Sequence, residues 1–254
     1  MITSTSNSKV KYVRRLQSDR RFREREAAFV VEGTRWLDEV VQSGRSPQLV
    51  FYTAAWAEDP QRAQLLAQIE GAAQAVGEEV MAAMSDVATP PGLLVVLPMA
   101  PRPLPENPDL LLILDAVRTP GNMGTMLRTA AAAGVDAVLL APGCVDLYNP
   151  KVIRGGMGAH LRLPVHSAAW PEIKALTKGM AVWLAAADGA YPYTDVNWRR
   201  PSALIIGSEA SGAGKHASGI ATQTVYIPMH AATESLNAAI AAGVILFEAA
   251  RQRR

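Results

Sequence analysis

Apolar positions along this chain fall into two kinds: short unbroken runs of strand length, and longer stretches with helical spacing. Within the first hundred residues, 9–26 reads as a basic helix. Phe29-Val30-Val31-Glu32 reads as a strand, Gly33 to Gly44 as a turn and helix, and Leu49-Val50-Phe51-Tyr52 as a second strand. An alanine-rich helix is predicted over 60–76, and Leu93 to Leu97 reads as a closing strand. Alternation of this kind predicts a small α/β sandwich.

Pro98, Pro101, Pro103, Pro105 and Pro108 then interrupt the pattern. Proline lacks a backbone N–H and favours extended geometry, so 98–108 is predicted to be a linker between residues 1–97 and 109–254. Beyond it the alternation is clearer. Leu110 to Leu114 is wholly apolar, as expected for a parallel strand covered on both faces. A helix is predicted from about Met123 to Ala133, a strand from Ala137 to Ala141, and further apolar runs lie at Met180–Ala185, Ala203–Ile206 and Val225–Ile227. The last helix is predicted from about Ser235 to Arg251, with Leu236, Ile240, Val244 and Phe247 as its apolar stripe.

Composition narrows the function. Hydrophobic residues make up 49% of the 254 positions, ample for a packed core. A single cysteine, Cys144, excludes an internal disulfide and any cysteine cluster. The four histidines show no ligand spacing, so no metal site is expected. No apolar leader opens the chain, and its longest apolar run, 238–247, is too short for a bilayer, so a cytoplasmic protein without membrane contact is expected. Net charge is +2, but eight Lys or Arg lie between Lys9 and Arg25 against Asp19 and Glu24 alone. Such a segment suits either a polyanion or plain solvation as a charged helix.

Three segments of the second part each follow a predicted strand, where open α/β sheets carry ligands. In the first, Pro120-Gly121 breaks the chain, Asn122 is placed to cap the next helix, Gly124 permits close backbone approach, and Arg128 lies six residues beyond Asn122, near the same helix opening. Taken singly, these also describe an ordinary turn, a cap and a surface arginine. The second is Gly207-Ser-Glu-Ala-Ser-Gly212, where Glu209 is suited to bind backbone N–H groups or to face a cation. It lacks the phosphate-loop pattern. The third runs from Tyr226 to Asn237; Thr233 and Ser235 are candidate caps for the last helix, with Asn237 in its first turn.

Together and in this order, the three segments resemble the SpoU (TrmH-like) family of RNA ribose 2′-O-methyltransferases, within the SPOUT superfamily. The matches are Asn122, Gly124 and Arg128 in the first motif, and Gly207, Glu209 and Gly212 in the second. Ile227, Pro228, Met229, Ser235, Leu236 and Asn237 match the third. The segment Asn149–Gly158 resembles the stretch between motifs. Phe29–Arg35 and Thr89-Pro-Pro-Gly-Leu-Leu resemble more loosely the L30e-like substrate-binding domain that precedes the catalytic domain in some members. Ala210, Ala213 and Gly156 depart from residues common in the family, beside the matching positions.

The resemblance implies an α/β fold: a C-terminal SPOUT domain with a parallel sheet and a trefoil knot, behind a smaller L30e-like α/β domain. It implies S-adenosyl-L-methionine held near Gly207, Ile227, Pro228, Met229 and Leu236. It implies a homodimer in which first-motif residues of one subunit approach the cofactor of the other. Arg128, Asn122, Glu209, Ser235 and Asn237 are the implied catalytic set, with Arg128 acting electrostatically because a guanidinium keeps its proton. The expected substrate is RNA, with ribosomal RNA favoured over transfer RNA, and Lys9, Lys11, Arg14, Arg15, Arg21 and Arg35 as phosphate contacts. Two rivals are an RNA-binding module of this fold without catalysis and a Rossmann-type nucleotide enzyme. The second lacks the GxGxxG signature.

Overall fold

The computed structural model describes residues 1–69, 73–230 and 235–254. They form two compact units, Met1–Ala100 with Tyr148–Arg154, and Pro101–Leu147 with Gly155–Arg254.

The first unit is built on strands β1 (Ala28–Glu32), β2 (Leu49–Thr53), β3 (Ala73–Val76) and β4 (Leu93–Pro98), in the order β1-β4-β2-β3. β4 runs antiparallel to both neighbours, while β2 and β3 are parallel. The predicted basic helix is two helices, Ser8–Ser18 and Arg20–Glu26. Asp19 breaks it: its backbone is extended, and its carboxylate accepts from the N–H of Phe22 to cap the second helix. The predicted helix over 60–76 is also corrected. A helix spans Pro60–Ala67, and Ala73–Val76 is a strand. Alanine is the strongest helix former, but propensity is a weak prior, and pairing with β2 overrides it here. Val10, Val13 and Leu16 bury one face of the first helix against Phe51, Val80 and Met84. Its polar face is left to Lys11 and Arg14, both exposed.

The second unit carries a seven-stranded parallel sheet among the described residues, in the order β7-β6-β5-β10-β8-β11-β9. The strands are β5 (Leu110–Leu114), β6 (Ala137–Leu140), β7 (Val165–Ser167), β8 (Ala181–Ala185), β9 (Tyr191–Pro192), β10 (Ser202–Ile206) and β11 (Gln223–Tyr226). β5 and β10 pair from Ser202↔Leu110 to Ile206↔Leu114 and are buried throughout, which explains why every position but Ser202 is apolar. Leu111, Ile113, Ala203 and Ile205 pack on one face with Ile173 and Ala217 from the helices Trp170–Leu176 and Lys215–Ile220.

The helices Pro120–Ala133 and Ala238–Arg253 pack against each other. The second differs from its sequence pattern. Leu236 before it and Ile240 and Phe247 within it are exposed at 39%, 53% and 49%. Ala239, Ala242, Ile245, Leu246, Ala249 and Ala250 form the buried face instead. Periodicity found the helix but assigned its apolar stripe to the wrong side. Among the described residues, no helix is long and apolar enough to cross a membrane.

Candidate active site

The carboxyl ends of β8, β10 and β11 open on a cavity of about 480 Å³. Its walls are mostly small or apolar: Ala185, Ile206, Val225, Ile227, Met229, Leu236, Ala241 and Ile245. Polar groups enter from Ser208, Glu209, Ser235 and Asn237. Such a volume suits a cofactor-sized ligand, and the ends of parallel strands are where this architecture leaves room for one.

The loop after β10 is shaped by glycine. A Cβ on Gly207 would stand 2.5 Å from the carbonyl carbon of Gly212, so only glycine permits that approach. Ser208 and Gly212 exchange two backbone hydrogen bonds of 2.9 Å, closing the loop on itself, and Gly212 takes φ +63°. Asp115, 5% exposed at the end of β5, accepts from the N–H of Gly214 at 2.7 Å and ties the loop to the neighbouring strand. The next residue, Ala116, holds φ +52°, a sparsely populated conformation.

Three side chains named from sequence form one chain of hydrogen bonds. Asn237 Nδ2 donates to Asn122 Oδ1 at 3.1 Å, and Asn122 Nδ2 donates to Glu209 Oε1 at 2.8 Å. Asn237 Oδ1 accepts from the N–H groups of Ala239 and Ile240, so Asn237 itself caps the last helix. Ser235, expected as a cap, instead lines the cavity; Thr233 lies outside the described residues. Asn122 is not the cap expected of it either. The helix begins earlier, at Pro120, with Thr119 as its N-cap, which leaves the Asn122 carboxamide to bridge.

Glu209 meets hydrogen-bond donors rather than a cation. Partial burial pushes its carboxyl up, but bonds from its own backbone N–H, the Asn122 and Thr119 side chains and the Arg118 backbone outweigh this. The carboxyl is held below its usual range.

Arg128 stands apart. It is exposed and does not line the cavity. Six helical residues turn it about 120° from Asn122 and advance it about 9 Å, so it does not share that opening within one chain. Gly124 does admit close packing: a Cβ on Gly155 would stand 3.2 Å from the Gly124 Cα. Gly207, Ile227, Met229 and Leu236 line the cavity, whereas Pro228 does not. Sequence reading missed Asp115 and the wall residues Ala185, Ala186, Ala187, Tyr226, Ala238 and Ala241. The carboxyl end of β8 was the available signal for the three alanines.

Of the basic residues named for RNA, all six are exposed. Lys9 donates to Gln74 at 2.9 Å. Arg15 pairs with Asp19 at 3.6 Å and lies over the Phe22 ring. Arg23, in the same run, is 4% exposed and donates to the carbonyls of Leu16 and Gln17, which makes it a core residue.

A parallel sheet with a small-molecule cavity at its carboxyl end defines a ligand-binding α/β enzyme, and comparison with known proteins sharpens this. Residues 109–247 match the SpoU rRNA Methylase family, and residues 7–95 match the MRM3-like substrate binding domain. The chain belongs to the SpoU rRNA methylase family. It is 35% identical over 99% of its length to an uncharacterised tRNA/rRNA methyltransferase of Synechocystis sp., covering 94% of that protein. It is 32% identical to the 23S rRNA (guanosine(2553)-2′-O)-methyltransferase RlmP of Bacillus subtilis, over 97% of each chain. The crystal structure of an AdoMet-bound rRNA methyltransferase from Sinorhizobium meliloti superposes with a TM-score of 0.88 at 27% identity, covering 98% of this chain and 97% of that one.

Proposed function

We propose that this protein transfers a methyl group from S-adenosyl-L-methionine to a ribose 2′-hydroxyl of ribosomal RNA. The carrying observation is that Asn122 bridges Glu209 and Asn237, two residues that line one cavity. The cavity fits the cofactor chemically: apolar walls for an adenine ring, backbone groups of a glycine loop for its polar edge, and a volume in the range of small-molecule sites.

When bound, S-adenosylmethionine supplies an electrophilic methyl group. The chain's own residues orient and stabilise. Ile227, Met229 and Leu236 exclude water from the cavity wall. The Asn237–Asn122–Glu209 chain holds the loop after β10, the helix Pro120–Ala133 and the last helix in one arrangement. Arg128 stabilises negative charge developing on the ribose oxygen, and a guanidinium that keeps its proton is suited to that role.

Because Arg128 is exposed and away from the cavity, we place it in the site across a two-fold homodimer interface. The exposed stripe of Leu236, Ile240 and Phe247 beside the cavity supports that reading, since such a patch on a monomer is a common mark of association. Residues 1–97 then serve as the RNA-binding unit and 98–108 as its linker to the catalytic domain. A trefoil knot, carried by family resemblance, and a cytoplasmic location, consistent with a ribosomal RNA substrate, complete the proposal.

The test is transfer of labelled methyl from S-adenosylmethionine to ribosomal RNA. Label in an alkali-resistant dinucleotide is the expected result, because a methylated 2′-oxygen cannot assist backbone cleavage. Label only on bases, or none with any RNA, sinks the reading. Arg128→Lys is expected to lose most activity because it loses the planar fork; near-full activity overturns the role given to Arg128.

A further inference from the structure

The last helix builds one wall of the cavity through Ala238, Ala241 and Ile245, and its cap Asn237 enters the hydrogen-bonded chain. Its position along its own axis therefore sets the shape of the site. A slip of one residue moves it about 1.5 Å, enough to break a 3.1 Å bond.

Few large side chains on the packed face of this helix oppose such a slip. Of its six buried residues four are alanines, Ala239, Ala242, Ala249 and Ala250, with Ile245 and Leu246 the two large side chains, and a Cβ on Gly243 would touch Thr129 at 3.5 Å. Methyl groups make shallow ridges, and shallow ridges define register weakly.

The far end adds directional polar anchors to that packing. Arg253 reaches the Asp109 carboxylate through Nη1, and its Nη2 donates to the carbonyls of Asp109 at 3.0 Å and Arg200 at 2.9 Å. Gln252 accepts from the N–H of Trp198 at 3.0 Å through Oε1 and donates to the carbonyl of Val196 at 3.0 Å through Nε2. Trp198 is fully buried, so this anchor is fixed. Asp109 immediately precedes β5, and Arg200 lies just before β10. These paired strands carry Asp115 and Gly207 at their opposite ends.

We infer that Arg253 and Gln252 are positioning residues for the cofactor cavity, acting as a latch at the far end of the helix, about 24 Å long, whose first turns form its wall. The latch refers the helix to the same two strands that hold the glycine loop, so wall and loop share one frame.

This inference rests on the cavity being the S-adenosylmethionine site, and calorimetric titration of that cofactor into the full-length protein separates the two. Arg253→Ala and Gln252→Ala are each expected to raise the cofactor Kd about tenfold. Arg253→Lys keeps the charge facing Asp109 but not the fork, and is expected to recover part of the loss. Arg251→Ala is the control: it removes the same charge two residues away, from a side chain paired with Glu248 and 72% exposed, and is expected to stay within about twofold of wild type. RNA affinity is expected to be unchanged in all four. Wild-type affinity in both Arg253→Ala and Gln252→Ala overturns the latch. So does an equal loss in Arg251→Ala, or a lower Tm with an unchanged Kd of the folded protein. Failure of wild-type protein to bind the cofactor overturns the assignment of the cavity and the latch with it.

Discussion

Asn122 donates through Nδ2 to the Glu209 carboxylate at 2.8 Å, across 87 positions of sequence. Its Oδ1 accepts from Asn237 at the same time. One carboxamide thus satisfies an ionised acid and an amide donor, and no other side chain of that size offers both a donor and an acceptor in that geometry.

Replacing Asn122 by aspartate removes the donor and sets a second carboxylate beside Glu209. A lost bond to a charged group is worth about 1.5–3 kcal/mol, so kcat/KM is expected to fall by roughly tenfold to a hundredfold, and like-charge repulsion adds to it. Methyl-transfer kinetics on purified ribosomal RNA check this. Activity within twofold of wild type refutes the bridge.

The same bond predicts a pH effect. Glu209 has a lowered carboxyl pKa in the folded site, so its bonds are intact above the usual carboxylate range and are lost as pH falls through the lowered value. Cofactor affinity is expected to decline only at the acid end. In Asn122→Ala, one of the bonds that lowers the pKa is gone, and the acid limb moves to higher pH. Titrations of cofactor affinity from pH 7 downward report the shift; an acid limb at the same pH in both proteins removes Glu209 from the account.

His160 predicts a stability effect unrelated to catalysis. The ring is 8% exposed, with Nε2 3.0 Å from the Leu147 carbonyl. Burial pushes it down to about 4, against the upward pull of that carbonyl and of Asp146. Between about pH 6.5 and 4 the unfolded chain binds a proton that the folded chain refuses, so stability falls as pH drops through that window, by up to about 3 kcal/mol. Urea midpoints at several pH values are expected to fall less steeply in His160→Gln. Parallel curves assign the acid sensitivity to other groups.

The exposed pair Ile240 and Phe247 predicts an assembly effect. Ile240→Asp with Phe247→Asp places charge on the face proposed to join two subunits. Light scattering is expected to show monomer, with cofactor affinity changed little and methyl transfer lost because Arg128 no longer completes the site. A double variant that stays dimeric, or a monomeric wild type, rejects that interface.

The basic face of the first unit predicts a salt effect. Lys11, Arg14 and Arg21 are exposed and make no ion pair among the described residues. Replacing all three by alanine is expected to reduce the slope of log affinity against log salt by about 2, at roughly 0.7 for each phosphate no longer neutralised on single-stranded RNA. An unchanged slope returns these residues to simple solvation.

Much of the fold and of the site is legible in the sequence itself. Apolar runs identified β5 and most of β10, because a strand covered on both faces disfavours polar positions; the one it holds, buried Ser202, donates to the Arg200 carbonyl. Family motifs picked out Asn122, Glu209 and Asn237 by residue type and spacing. The short edge strands β7 and β9 escaped, since three and two residues carry no period. β3 reads as helix in the sequence because its alanines have no strand signature until β2 pairs with them.

Sequence alone determined the alternation of elements, the two-part organisation and the chemical inventory, because these follow from local spacing and residue type. Only the tertiary structure decided which Asn capped the last helix and which bridged to Glu209. It also decided that Arg128 stands away from the cavity of its own chain, and that Ile240 and Phe247 face outward while alanines face inward. Each of these depends on where a helix is set against its neighbours. Rotation and register are determined by packing and by distant anchors such as Arg253 on Asp109, and a linear pattern carries neither.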